Sequence, residues 1–95
     1  MKELMNRINQ FRDERDWRKF HNEKDLAISI SLEASELLEL FQWKKSEEVV
    51  EKSLQEIREE LADVFMYSFM LADNLNLDVE EIIKEKIEIN AKNIL

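Results

Sequence analysis

Two short runs hold the acidic residues best placed to do chemistry: Glu33-Ala-Ser-Glu36 and Glu60-Leu-Ala-Asp63. Each pair is spaced i, i+3, so its two carboxylates leave the same side of a helix. Both runs lie inside strongly apolar segments, where a lone carboxylate would be expensive to bury. Two such pairs facing each other across a bundle would form an oxygen-rich cage suited to Mg²⁺. The chemistry this implies is metal-assisted attack on a phosphate. A single pair would carry little weight, because glutamate is a good helix former and is mostly solvated. Two pairs at the core margin of adjacent apolar helices carry more. Glu47, Glu48, Glu51, Glu80, Glu81, Glu85 and Glu88 read as solvated faces, and Glu39, Glu56 and Glu59 as neighbours of the cage.

Four helical segments must position these groups. The first runs from about Lys2 to Asp16, with Leu4, Ile8 and Phe11 at helical spacing. The second follows Asn22, a good N-cap, and reaches about Trp43. The third follows Ser46 and extends to about Asn76, with a break expected in the Glu51–Gln55 region. The fourth opens with Asp78 and Glu81, a capping box of the D-x-x-E kind. At about 100° per residue, Leu26, Ile30, Ala34, Leu37 and Phe41 form the core stripe of the second helix. Glu33 falls inside that arc and Glu36 at its margin, near Ser29 and Trp43. On the third helix the main stripe is Ile57, Leu61, Val64, Phe65 and Ala72, bordered by Glu56, Glu60, Asp63, Tyr67 and Asn74. Its other side is also apolar, at Ala62, Met66, Phe69 and Met70. A helix apolar nearly all round is covered on more than one side. In so small a chain the simplest second cover is another subunit, as a homodimer or homotetramer.

Composition excludes several alternatives. The 95 residues suit a single domain spanning 1–95. With no Gly there is no glycine-rich phosphate loop, and with no Cys there is no thiol chemistry, disulfide or Cys-based zinc site. One His cannot build a His-rich metal centre, and a di-iron bundle would need Glu-x-x-His pairs. The balance of 14 basic and 22 acidic residues, net −8, argues against nucleic-acid binding. No run is apolar enough to span a membrane and the N-terminus lacks a signal-like apolar stretch, so a cytoplasmic location is expected.

The remaining polar and aromatic residues gain meaning beside the cage. Spacing alone favours a Lys86 that, among Val79, Ile82, Ile83 and Ile89, merely extends its charge to solvent; beside a metal cage, Lys86 and Asn90, one turn apart, could clamp phosphates. Trp17, Phe20 and Trp43 could be core, and His21 a helix-end residue; Trp43, near Glu36 on the wheel, could instead stack on a base.

Taken together, these residues resemble the all-α nucleoside triphosphate pyrophosphohydrolases of the MazG-like superfamily, nearest to the dCTP pyrophosphatase branch. The resemblance rests on Phe11-Arg-Asp-Glu-Arg-Asp-Trp17 with Phe20-His21-Asn22, on Leu32 to Lys44 with its Phe-Gln-Trp, on Leu54 to Tyr67, and on Lys86-Ile-Glu-Ile-Asn90. It covers roughly residues 8–90. It implies an all-α, four-helix bundle-like fold completed by oligomerisation, and Mg²⁺-dependent hydrolysis of a (d)NTP to (d)NMP and pyrophosphate, with Mn²⁺ able to substitute. The substrate implied is dCTP or a related or modified dNTP, cleared from the nucleotide pool. By position, Glu33, Glu36, Glu60 and Asp63 would hold the metal. Tyr67, Lys86 and Asn90 would contact phosphates or sugar, and Trp17, Phe20, His21 and Trp43 would line a base pocket. Glu36 or another metal-holding carboxylate such as Glu60 would take the water's proton, and Lys86 would stabilise the leaving pyrophosphate. The chain departs from the pattern at Asn93 and Ile94, where the family often has Arg and Tyr. The rival reading is a non-catalytic helical module that binds a partner through its apolar face.

Overall fold

The computed structural model describes residues 1–93, all of them helical or in the turns between helices. The elements are α1 (Lys2–Glu14), a 3₁₀ turn (Arg18–Phe20), α2 (Glu23–Phe41), α3 (Ser46–Lys52), α4 (Leu54–Asn74) and α5 (Val79–Lys92). The expected all-α architecture is observed. Ile94 lies outside the described residues, while Asn93 closes α5 with its N–H donated to the Ile89 carbonyl.

Two of the expected caps are in place. The Asn22 side chain accepts from the Asp25 N–H at 2.8 Å, and the Asp78 side chain from the Glu81 N–H at 2.9 Å. Ser46 is instead the first residue of α3 rather than its cap. The break expected between Glu51 and Gln55 falls at Ser53 (φ −125°, ψ 27°).

Left-handed backbone has to be supplied without glycine. Asp16 (φ 55°) and Asn76 (φ 56°) do so at the ends of α1 and α4. Each heads a Schellman closure: Trp17 N–H to Arg12 carbonyl at 3.0 Å with Asp16 to Asp13, and Leu77 N–H to Ala72 carbonyl at 2.9 Å with Asn76 to Asp73. The apolar contact that accompanies such a motif is Trp17 against Phe11, ring centroids 5.2 Å apart.

α2 and α4 form the main helix pair, antiparallel, with Leu26 beside Met70 at one end and Glu33 beside Glu60 near the middle. Ile8 of α1 completes the innermost cluster, flanked by Met66, Tyr67, Phe69 and Leu71. The half-buried face of α4 runs through Ile57, Glu60, Asp63, Val64, Tyr67 and Asn74. Of the expected stripe, Ile57, Val64 and Ala72 are covered, and Glu60, Asp63, Tyr67 and Asn74 border it as expected. Leu61 and Phe65, placed in the main stripe from sequence, are exposed, and Ala34 of α2 is too. Met70, assigned to the second apolar face, is instead fully buried within the chain. The carboxylate side of α4 is the side that meets α2, and a helix apolar nearly all round does not show from spacing how far its stripe extends.

α5 makes only slight contact with the other helices. Leu4, Phe65, Phe69, Val79 and Ile83 line an open apolar groove between α1, α4 and α5. No helix among the described residues is long and apolar enough to cross a membrane.

Candidate functional site

The seam between α2 and α4 carries the acidic cluster. Glu33, Glu36 and Glu60 each offer a carboxylate oxygen, and these oxygens all lie within 4.8 Å of one another. Octahedral Mg²⁺, with bonds of about 2.1 Å, sets its ligand oxygens roughly 3–4.2 Å apart. The spacing of the three groups is thus of the order such an ion requires. Glu33 Oε2 and Glu60 Oε2 are buried with no hydrogen-bond partner. Buried carboxylate oxygens are normally satisfied, so two orphaned ones turned into the same seam fit a cation.

The electrostatics agree. Burial, followed by the nearby Glu36 and Asp63 carboxylates, pushes Glu33 up to about 7. The adjoining Glu36 carboxyl, then burial and the Asp63 charge, raise Glu60 above the usual carboxylate range. Among the described residues, no lysine or arginine stands among the causes of either shift. Asp63 is half-buried one turn beyond Glu60 and adds its charge to the cluster.

Tyr67, a further turn along α4, joins this cluster to a row of rings. Its hydroxyl is held above its ordinary range by burial first, then by Glu33, Asp63 and Glu36. Its ring stands edge-to-face with His21 at 6.0 Å, His21 with Trp17 at 5.4 Å, and Trp17 with Phe11. Burial and the Arg12 charge hold His21 below its ordinary range, and His21 Nδ1 is buried without a partner. Trp17, His21 and Tyr67 thus converge beside the carboxylates.

Four residues expected at the site are exposed rather than packed against its walls. Phe20 is exposed, with Lys19 Nζ 5.2 Å from its ring. Trp43 is 95% exposed, in a turn after α2 closed by the Lys44 N–H to the Phe41 carbonyl at 3.2 Å. Lys86 and Asn90 are exposed on α5, the helix least attached to the rest. Glu39, Glu56 and Glu59 are likewise exposed.

One group escaped the sequence reading. Arg12 is completely buried. Its Nη2 donates to Asn74 Oδ1 at 3.0 Å, its Nη1 lies 3.4 Å from Asn9 Oδ1 and 3.9 Å from Asp73 Oδ2, and its Nε has no partner. Asn74 Nδ2 in turn donates to the His21 carbonyl at 2.9 Å. The available signal was Arg12's place one turn beyond Ile8 on the buried face of α1, which a surface arginine can also occupy.

A profile of the MazG-like family matches residues 28–94, which include both acidic runs. Among characterised relatives, dCTP pyrophosphatase 1 of Rattus norvegicus is 35% identical over 86 residues, covering 85% of this chain and 51% of the relative. The Homo sapiens dCTP pyrophosphatase 1 is 34% identical over 88 residues, covering 87% and 52%. The chain thus spans about half the length of these relatives. The crystal structure of a pyrophosphatase from Archaeoglobus fulgidus superposes with a TM-score of 0.93 at 44% identity, over 97% of this chain and 89% of that one.

Proposed function

The chain belongs to the MazG-like family, and on that premise we propose that it is a nucleoside triphosphate pyrophosphohydrolase, splitting a (d)NTP between the α and β phosphates. The observation that carries the reading is the continuity of acidic cluster and aromatic row through Tyr67. One end suits a metal-bound triphosphate and the other a flat base. The similarity to dCTP pyrophosphatases supports dCTP, or a related or modified dNTP, as substrate. The proposed setting is the cytoplasmic nucleotide pool.

Glu33, Glu36, Glu60 and Asp63 would hold Mg²⁺, with Mn²⁺ able to replace it. The ion supplies positive charge at the phosphate oxygens and so makes the α phosphorus more electrophilic. Glu36, the most open of the three clustered glutamates, accepts the proton of the attacking water. Trp17, His21 and Tyr67 wall the base and sugar side, and the exposed rings of Phe20 and Trp43 close over it. Lys86 and Asn90 come from α5 of a neighbouring subunit and meet the charge on the departing pyrophosphate. A non-catalytic interaction module would account for the apolar groove but not for the orphaned carboxylate oxygens.

Pyrophosphate release across the eight common NTPs and dNTPs tests this. dCTP should rank among the best substrates, deoxy above ribo, and a chelator should abolish turnover. Glu60→Gln and Asp63→Asn should lose the metal-dependent activity while keeping their helical circular dichroism. Normal turnover by either variant at saturating Mg²⁺ would overturn the metal assignment.

A further inference from the structure

We propose that Arg12 is a positioning residue that, through the side-chain amide of Asn74, holds His21 at the wall of the nucleotide pocket. The proposal rests on reading the row of rings as that pocket.

The chemistry of the three groups makes the chain of contacts directional. A guanidinium has donors only, so Arg12 accepts nothing from Asn74 and must face its carbonyl oxygen. That orients the amide, leaving Nδ2 to donate to the His21 carbonyl, the contact seen at 2.9 Å. Without Arg12, the amide keeps only its contact with the His21 carbonyl and loses the second contact that fixes it.

The segment held in this way needs holding. His21 follows the 3₁₀ turn with φ −113° and ψ 70°, outside any regular element. Its Nδ1 is buried without a partner, as is Arg12 Nε, and buried polar groups left unpaired are costly. Two further contacts tie the same segment to α1 and α4. Arg18 pairs with Asp13 and reaches Asp73 at 3.7 Å. The Trp17 N–H bonds to the Arg12 carbonyl. Arg12 therefore anchors the loop by its backbone on one side and by its side chain, through Asn74, on the other. The next residue, Asn22, caps α2, so the anchored loop also sets where the helix bearing Glu33 and Glu36 begins.

Asn74→Asp separates the links. It keeps an acceptor for Arg12 but replaces the donor facing the His21 carbonyl with a second oxygen. His21 is the only histidine in the chain, so its ring Hε1 proton gives one proton-NMR signal, displaced by the rings of Trp17 and Tyr67. In Asn74→Asp that signal should move toward the position of a free histidine. KM for the best dNTP should rise roughly three- to tenfold, the worth of about one hydrogen bond, with kcat and the half-saturating Mg²⁺ concentration unchanged. Arg12→Met should do the same, and Arg12→Lys should recover part of the loss. If Arg12→Met fails to fold, Asn74→Asp still decides. An unmoved His21 signal in a folded Asn74→Asp protein would overturn the latch, and a moved signal with unchanged KM would overturn its role in the pocket. Should the unaltered protein release no pyrophosphate from any NTP, the functional reading fails, while the NMR signal still tests the latch.

Discussion

Glu33 is the residue whose ionisation should report the site most directly. Its folded pKa of about 7 lies above its ordinary value of 4.5, so the folded chain binds this proton more tightly than the unfolded one. The stability it contributes is complete below about pH 4.5 and is lost as pH rises through about 7. Glu33→Gln lacks that loss. In chelator, the melting temperature of Glu33→Gln should therefore gain on that of the unaltered chain from pH 5 to pH 8. Adding Mg²⁺ at pH 8 should raise the melting temperature of the unaltered chain and reverse the order, because the cation relieves the repulsion only where all the ligands are present. Parallel melting curves across this pH range would show that Glu33 sits in no such cluster. Apparent Mg²⁺ affinity should also fall as pH drops through about 7, since proton and metal compete for the same oxygens.

At the scale of elements, the turn after α2 is the most unusual piece of backbone. Gln42 (φ −63°, ψ 128°) and Trp43 (φ 63°) occupy the two central positions of a type II-like turn, whose second position ordinarily takes glycine. A bulky residue there carries strain of about 1–3 kcal/mol, and Trp43 gains almost no burial in return. Such a placement suits a ring offered to something outside the chain. Trp43→Gly should leave the melting temperature equal or higher, because glycine adopts this conformation freely. Stacking on an aromatic is worth about 1–3 kcal/mol per base, so the same variant should raise KM for the best dNTP about tenfold. Unchanged KM across all bases would remove Trp43 from the base pocket.

At the scale of the whole molecule, the chain exposes 7682 Å², against about 5,800 Å² expected for a folded monomer of this mass. Its radius of gyration of 15.7 Å exceeds the roughly 12.4 Å usual for its length. The excess surface is of the size that subunit association buries, and the groove between α1, α4 and α5 is an apolar part of the surface. If that groove is a subunit interface, Phe65→Glu should dissociate the assembly in sedimentation while leaving the helices formed. Met70→Glu should unfold the chain instead, because Met70 packs against Ile8 and Leu26. If Lys86 serves the neighbouring subunit's carboxylates, mixing inactive Lys86→Ala with inactive Glu60→Gln should restore activity. Each mixed dimer would then contain one site with both groups intact. No recovery after verified subunit exchange would place Lys86 and the carboxylates in the same chain's site.

The helices, their caps at Asn22 and Asp78, the break near Ser53 and the two acidic runs were all legible in the sequence. Each depends on neighbours within a few residues, and periodicity and capping chemistry act at that range. The direction in which α4 faces was legible only in part: Glu60 and Asp63 border its covered face where spacing puts them, but apolar residues surround the helix and spacing also placed the exposed Leu61 and Phe65 in the stripe. Only the arrival of α2 placed Glu60 and Asp63 in the seam and left Phe65 outside. The same holds for Arg12, whose partner Asn74 is 62 residues away, and for Met70, whose burial depends on α1 as well as α2. Sequence spacing determined which groups share a helix face. Tertiary packing decided which face is dry, and a carboxylate or a guanidinium acquires its unusual properties only where water has been displaced.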